Sequence, residues 1–222
     1  MSLHFERLGK YFNYYWEGLG ITLTITGVTL ILSILAAAVI LIMRLSRFRI
    51  LKAAAAFYIS FFRGVPVIVQ LFIVYFGSAA MTGNKIVLSA TVASIVTFTL
   101  NTSAYLSENI RGGILGVDHG QSEAASALGI GRSRCMLAII LPQALRSVMP
   151  AVVNTTITLL KNSSIISQIG VMDLMRSGQV IMNVTYLSFE PLIVVALFYL
   201  TIILLITFLG KYAEKYFNRS EI

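Results

Sequence analysis

The 222-residue chain is 57% hydrophobic and only 12% charged, and its mean hydropathy is +0.85. These values exclude an ordinary soluble domain, because too few polar residues are present to cover its surface. The formal net charge is +8. Such an excess either marks a nucleic-acid-binding surface or sets the orientation of a membrane protein.

Apolar stretches long enough to cross a bilayer recur along the chain. About 20 mainly apolar residues cross the roughly 30 Å of hydrocarbon. The stretches that approach this length are residues 19–43, 53–80, 86–106, 149–171 and 191–209. The first follows Glu6 and Glu17 rather than a basic leader, so we expect a retained span and not a signal peptide. The sequence predicts one all-α membrane domain over residues 1–222 with about five spans.

Basic residues cluster in alternate connections between these stretches. The clusters are Arg44, Arg47, Arg49 and Lys52 after the first span, Arg111, Arg132, Arg134 and Arg146 in and beside residues 108–147, and Lys211, Lys215 and Arg219 after the last. Cytoplasmic loops of membrane proteins carry such an excess. We therefore expect the N-terminus outside and the 108–147 loop and the C-terminus in the cytoplasm. Topology explains the net charge better than nucleic-acid binding does.

The residues used in common catalytic and metal sites are scarce. Cys135 is the single cysteine and His4 and His119 lie far apart, so the sequence shows no metal-ligand spacing. No G-x-x-x-x-G-K-[ST] stretch is present. If ATP drives this protein, another chain is expected to bind it.

Polar side chains within the spans are candidates for a transport path, because an ionised group there costs roughly 2.5–3.5 kcal/mol. Lys161 lies about 11 residues beyond Pro150, which is roughly 16 Å along a helix and near the predicted midplane. The predicted stripes are Arg63 and Gln70; Thr97, Asn101, Tyr105 and Glu108; and Asn154, Thr158, Lys161 and Gln168. Facing one another, they would line a wet path. For Thr97, Asn154 and Thr158, hydrogen bonding between helices is an equally good interpretation.

The loop over residues 120–147 carries small, polar and basic residues and one acid, and it predicts a helix–turn–helix. Residues 121–129 are rich in alanine, carry Glu123 in the first turn and end at Gly129, which is placed as a C-cap. A second helical run over residues 133–141 is expected to stop at Pro142. The loop is too polar for a further span and suits docking to another protein.

Several stretches resemble a known family. Residues 123–142 match every fixed position of the EAA-x3-G-x9-I-x-LP signature of permease subunits of bacterial ABC importers. Stretches that begin at Arg63, Asn101, Glu108 and Leu160 resemble R-G-T-P-L-L-V-Q, N-[ST]-[AS]-A-Y, E-x-x-R-[AG]-G-I and L-K-[DE]-[TS]-[SA] of the polar amino acid branch. The resemblance runs from about Gly18 to Lys215.

The resemblance implies a type I ABC importer permease fold of about five helices, with a cytoplasmic coupling-helix loop at about residues 108–147. The chain would be a multi-pass transmembrane subunit that moves a polar amino acid across the bacterial cytoplasmic (inner) membrane. It would not be an enzyme and would hold no cofactor, since ATP and Mg would bind a pair of ATP-binding cassette subunits. Further implied partners are an extracytoplasmic solute-binding protein, membrane lipid and a second permease copy, identical or similar.

Two sets of residues receive roles from the resemblance and the polar stripes. Coupling to the ATPase is assigned to Glu123, Ala124, Ala125, Gly129, Ile139, Leu141 and Pro142. The substrate-path candidates are Arg63, Gln70, Asn101, Ser103, Tyr105, Lys161, Asn162 and Gln168.

Asn162 departs from the family pattern, which commonly has an acid after the lysine. Without that acid, Lys161 is free to meet a substrate carboxylate, which favours neutral polar or acidic amino acids over arginine and lysine. The alternative function is an ion-coupled secondary transporter or channel for a small polar solute. Such a protein would not need an EAA loop and usually has internal repeats, which this sequence does not show.

Overall fold

The computed structural model describes residues 3–218, with side chains through Lys215, and within that range the chain is helical without a β-strand. Arg219 of the third basic cluster lies outside the described residues. The α-helices are α1 (Phe12–Leu45), α2 (Arg49–Gly64), α3 (Val67–Thr82), α4 (Ala90–Gly116), α5 (His119–Ala127), α6 (Arg132–Cys135), α7 (Leu141–Asn162), α8 (Leu174–Thr185) and α9 (Glu190–Asn218). The 3₁₀-helices Phe5–Tyr11 and Ser163–Ile169 flank α1 and α7, and a π-helix, Met136–Ile140, joins α6 to α7.

Among the described residues, three continuous helical stretches are long and apolar enough to cross a membrane, namely Phe5–Leu45, Arg132–Ile169 and Glu190–Lys215. The pair α2 and α3 passes the same test as a broken fourth span. The 27 residues of α4 reach about 40 Å, but its hydroxyl and amide side chains make it less apolar than the others. The predicted all-α membrane fold is confirmed, whereas a fifth span remains a prediction.

The predicted second span, residues 53–80, is wrong as a single straight helix. The chain ends α2 at Gly64, begins α3 at Val67 and bends by 106° between them. Pro66 has no N–H to donate and disfavours helical backbone at Val65, whose φ of −100° and ψ of 136° are extended. Arg63 and Gln70 therefore lie on two helices and not on one helix face.

The helix predicted to stop at Pro142 instead continues through it. Pro142 is the second residue of α7 and lacks an N–H, and the π-helix, in which the Leu141 N–H donates to the Met136 oxygen, precedes it directly. The stretch Arg132–Ile169 is thus one continuous helical run of 38 residues. The predicted span over residues 149–171 begins earlier than its sequence pattern indicates.

Small and hydroxyl-bearing side chains line the contact between α1 and α4. Ser33 Oγ donates to the backbone oxygen of Thr99 at 3.4 Å, and Ser33, Ser94 and Thr97 are fully buried. Small residues allow membrane helices to approach closely. An apolar cluster drawn from α1, α3, α4 and α7 packs beside this contact and includes Ile25, Leu71, Phe98 and Leu159. These helices are the walls of the candidate site.

Candidate functional site

The main cavity lies where the bend between α2 and α3 meets α4 and α7. Its volume is about 640 Å³, within the roughly 300–1,000 Å³ of typical small-molecule sites. Amide, hydroxyl and guanidinium groups face it, from Arg63, Asn101, Thr102, Tyr105, Asn109, Asn154, Thr155, Thr158 and Asn162. A partly open cavity between helices, with these polar groups on its walls, can contact a small polar solute.

Two side-chain amides form hydrogen bonds to the backbone at the bend beside this cavity. Gln70 Nε2 donates to the backbone oxygens of Phe62 at 3.0 Å and of Val65 at 2.8 Å. Asn101 Nδ2 donates to the Phe62 oxygen at 2.8 Å and to Gln70 Oε1 at 3.2 Å. Carbonyls in the last turn of a helix lack partners within the helix, and the break after α2 leaves such carbonyls inside the protein. Gln70 and Asn101 satisfy them.

A cluster of charges lies at the edge of the cavity. Glu108 Oε1 accepts a hydrogen bond from Arg111 Nε, and Glu108 Oε2 accepts one from Arg111 Nη2, both at 2.8 Å. Arg44 of α1 and Arg63 of α2 approach the same carboxylate at 3.9 and 4.0 Å. The Arg63 guanidinium also lies 5.3 Å from the centre of the Tyr105 ring, a distance suited to a cation–π contact. One carboxylate therefore gathers guanidinium groups from three helices.

The predicted path residues separate into three groups. Arg63, Asn101, Tyr105 and Asn162 line the main cavity, as do Asn154 and Thr158 of the predicted α7 stripe. Gln70 and Ser103 are buried beside it and bond to protein groups, Ser103 to the Tyr58 hydroxyl at 2.9 Å. Lys161 and Gln168 are exposed and do not line the main cavity. Glu108 pairs with arginines and not with Lys161.

Sequence reasoning missed three polar lining residues, Thr102, Asn109 and Thr155. Asn109 Nδ2 donates to Thr155 Oγ1 at 3.1 Å, which joins α4 to α7 across the cavity. A helical signal for Asn109 existed, since it lies four residues after Tyr105 and eight after Asn101. The face of α4 that lines the cavity therefore includes Asn109, the residue after the predicted Glu108.

The loop after α4 contains the short helix that the sequence predicts. Asp118 caps α5 by accepting from the Gly120 N–H at 2.6 Å. After α5, Gly129 has a φ of +72°, and the N–H of Ile130 donates to the Ala125 oxygen at 2.9 Å. This is the left-handed helix ending that glycine permits, as predicted.

The predicted coupling residues fall into two groups, one on α5 and its C-terminal end and the other at the start of α7. Glu123, Ala124 and Gly129 are exposed on α5 and its cap, whereas Ala125 is buried against the following segment. Ile139 belongs to the π-helix, and Leu141 and Pro142 begin α7. A groove of about 620 Å³ runs beside α5 and is lined by Glu123, Ser126 and Arg132, among others. α5 contacts α6 and the π-helix, and the π-helix continues into α7.

A helical membrane protein with a polar chamber between its spans and a short exposed helix at one end belongs to the class of membrane transport subunits. The sequence matches, over residues 29–219, the family described as binding-protein-dependent transport system inner membrane component. The chain therefore belongs to this family of permease subunits. Membership decides for an ABC importer and against the ion-coupled secondary transporter or channel.

Named relatives carry different substrate descriptions. The chain is 41% identical over 221 residues, the full length of both proteins, to the "Arginine transport system permease protein ArtQ" of Bacillus subtilis (strain 168). It is also 41% identical over 199 residues, 90% of each chain, to the "Putative glutamine transport system permease protein GlnP" of Rickettsia felis (strain ATCC VR-1525 / URRWXCal2). Identity alone does not choose between them.

Solved structures share the fold. The chain aligns with the "Crystal structure of an amino acid ABC transporter with histidines" at a TM-score of 0.91 and 36% identity, over 97% of this chain and 99% of the other. A structure of the MetNI methionine ABC transporter aligns at a TM-score of 0.73 with 20% identity, over 98% of this chain and 99% of that one, and supports the fold alone.

Proposed function

We propose that this permease subunit moves a polar amino acid with a neutral or acidic side chain through the main cavity. The observation that carries the proposal is the charge of the lining. Among the described residues that face the cavity, Arg63 carries the only charge, and the remaining polar groups are amides and hydroxyls. A substrate carboxylate can pair with Arg63, whereas a lysine or arginine side chain would lose its hydration without gaining an anion.

Asn162 supports the same substrate class. It lines the cavity at the position where the family commonly carries an acid. An asparagine hydrogen-bonds to a neutral side chain but does not neutralise a cationic one. Its neighbour Lys161 is exposed in this structure, and we retain the hypothesis that it meets the substrate carboxylate in the assembled transporter.

Transport is proposed to be driven through the loop at residues 108–147, acting as the coupling segment. In this arrangement the N-terminus is outside and the loop and C-terminus are cytoplasmic, so that α5 contacts an ATP-binding subunit. The family implies such a subunit and a solute-binding protein. The finer arrangement, two ATP-binding subunits with Mg-ATP and two permease copies, identical or similar, is part of this proposal. Closure of the ATPase pair would push α5 and rock α7 through the π-helix.

Reconstituted transport tests the proposal. The permease is purified with its ATP-binding subunit, placed in proteoliposomes with the solute-binding protein, and supplied with labelled L-glutamine, L-glutamate, L-arginine and L-lysine. We expect ATP-dependent uptake of L-glutamine or L-glutamate in preference to the cationic pair. Arg63→Gln should reduce that uptake, and Arg47→Gln, which removes an exposed guanidinium remote from the cavity lining, should not. Preferential uptake of arginine or lysine would contradict the proposed substrate class.

A further inference from the structure

A second cavity lies beside the main one, between α1, α2 and α4, and we name it the arginine cavity. Its volume is about 480 Å³, and the residues that matter in its lining are Arg44, Ser60, Arg63, Tyr105 and Glu108. Arg63, Gly64 and Tyr105 line both cavities. The two cavities are therefore neighbours, and the Arg63 side chain lies in their common wall.

The arginine cavity carries more positive than negative charge. Both carboxylate oxygens of Glu108 already accept hydrogen bonds from Arg111. Arg44 and Arg63, at 3.9 and 4.0 Å, are close enough for electrostatic attraction but make no hydrogen bond to it. The Nε of Arg44 is buried and has no hydrogen-bond partner. Three guanidinium groups around one carboxylate leave an excess of two positive charges.

An unpaired guanidinium in a partly buried place is costly, and a carboxylate relieves that cost by accepting two parallel hydrogen bonds. Arg63 is held at the common wall by the Tyr105 ring, and its side chain is 45% exposed, so it is open to a guest. The Arg44 side chain is 28% exposed and lines the arginine cavity but not the main cavity. Both arginines therefore line one chamber.

We propose that the arginine cavity is a second station for the α-carboxylate of the transported amino acid, bound between Arg44 and Arg63 next to the main cavity. This inference rests on the proposed function, because it takes the transported solute to be an amino acid. Glu108 acts as a positioning residue, since it holds Arg111 and attracts the other two guanidinium groups without satisfying them. Arg63 passes the carboxylate between the two cavities.

Protection of engineered cysteines tests the station directly. In a Cys135→Ser background, Ser60→Cys reports on the arginine cavity and Thr158→Cys reports on the main cavity alone. The assembled complex is treated with a negatively charged thiol reagent, with and without L-glutamine or L-glutamate. The α-amides of both amino acids are the matched controls. At ten times the dissociation constant, occupancy should slow labelling about tenfold at both positions, and the α-amides should protect Ser60→Cys much less.

The two positions distinguish failure of the inference from failure of the proposed function. Protection of Thr158→Cys but not of Ser60→Cys overturns the second station and leaves the main cavity as the substrate site. Protection of neither position overturns both. Equal protection of Ser60→Cys by an amino acid and its α-amide also overturns the station, because carboxylate recognition is then absent.

Arg44→Gln gives an independent measurement. Because Arg44 lines the arginine cavity and not the main one, its loss should raise KM for uptake about tenfold, as expected for one charge-assisted hydrogen bond. Arg44→Lys keeps the charge but not the fork of donors, so its KM should lie between those of the unchanged protein and Arg44→Gln. The control is Arg47→Gln, three residues along the chain and exposed. Equal KM values for Arg44→Gln and Arg47→Gln would overturn the inference, and if Arg44→Gln does not assemble, the cysteine protection decides.

Discussion

The loop around α5 and the main cavity are built by different means. The loop obtains its form from neighbours in sequence, with Asp118 capping one end of α5 and Gly129 ending the other. The cavity obtains its form from residues that are far apart in sequence. Gln70 and Asn101, which are 31 residues apart, bond to each other beside the break between α2 and α3. The difference teaches that the form of the loop is specified locally, whereas the cavity exists only after the helices have packed.

Gly129→Asp should have the largest effect on transport and little effect on the membrane fold. A Cβ at this position meets no atom within 4 Å, but the φ of +72° strains most side chains. Aspartate tolerates this conformation better than most residues, so the strain is on the order of 1 kcal/mol. We expect near-complete loss of uptake and weaker co-purification of the ATP-binding subunit.

The control for that change is Gly131→Asp, two residues further along. Gly131 is exposed, has an ordinary φ of −62°, and also has open space for a Cβ. It should keep most of the uptake. If Gly129→Asp retained full uptake and full association with the ATPase, the assignment of coupling to this loop would be wrong.

Lys161→Met tests whether the exposed ammonium next to Asn162 meets the substrate, and it should have the next largest effect on uptake. Methionine keeps the length and apolar stem of lysine but removes its charge. Because Lys161 is exposed and Glu108 already bonds to Arg111, the complex should assemble at its normal yield. We expect uptake to fall about tenfold if the ammonium meets the substrate carboxylate. Yield and uptake are measured together, with the exposed Lys85→Met as control, and an unchanged rate would reject the role.

The extent to which sequence could predict each region follows from its construction. The position of α5 and the glycine at its end could be predicted because caps and left-handed endings depend on a few adjacent residues. The sequence does not predict the bend at Pro66, because Pro66 lies within an apolar run long enough for one span. Hydropathy measures how apolar such a run is but not whether the helix axis changes direction within it. Gln70 was predicted to face the path, yet the break creates carbonyls that Gln70 must satisfy.

At Pro142 the sequence predicts a helix end, whereas the helix continues through it. Proline is tolerated in the first turn of a helix, but its sequence context does not reveal that the preceding turn is a π-helix. For the cavity, the stripes on α4 and α7 could be predicted because both helices keep a regular period. Gln168 shows a limit of that period, since the α-helix gives way to a 3₁₀-helix directly after Asn162. Lys161 is still within α7 but lies beside the face that lines the cavity through Thr158 and Asn162.

Gln70→Leu should reduce stability more than it reduces affinity. The change leaves the Val65 oxygen without its side-chain donor and the Phe62 oxygen with Asn101 alone. A buried group without its partner costs about 1–3 kcal/mol, so the melting temperature of the purified complex should fall by several degrees. The matched control is Gln143→Leu, which removes one bond, to the Ile139 oxygen within its own helical run. An equal or larger loss in Gln143→Leu would contradict the bracing role of Gln70.

Ser103→Ala should have the smallest effect, because Ser103 is a wall residue and not a contact for substrate. Its hydroxyl is fully buried, lies 2.9 Å from the Tyr58 hydroxyl and donates to the Leu100 oxygen at 3.0 Å. After the change, the Tyr58 hydroxyl still donates to that same oxygen at 2.8 Å. A single hydrogen bond between membrane helices contributes about 0.6 kcal/mol, so KM for uptake should stay within about twofold and the melting temperature should fall slightly. Tyr58→Phe, which removes the other hydroxyl of the pair, should give a similar small loss of stability. A large rise in KM for Ser103→Ala with an unchanged melting temperature would return Ser103 to the substrate path and weaken the distinction between residues that line the cavity and residues that support it.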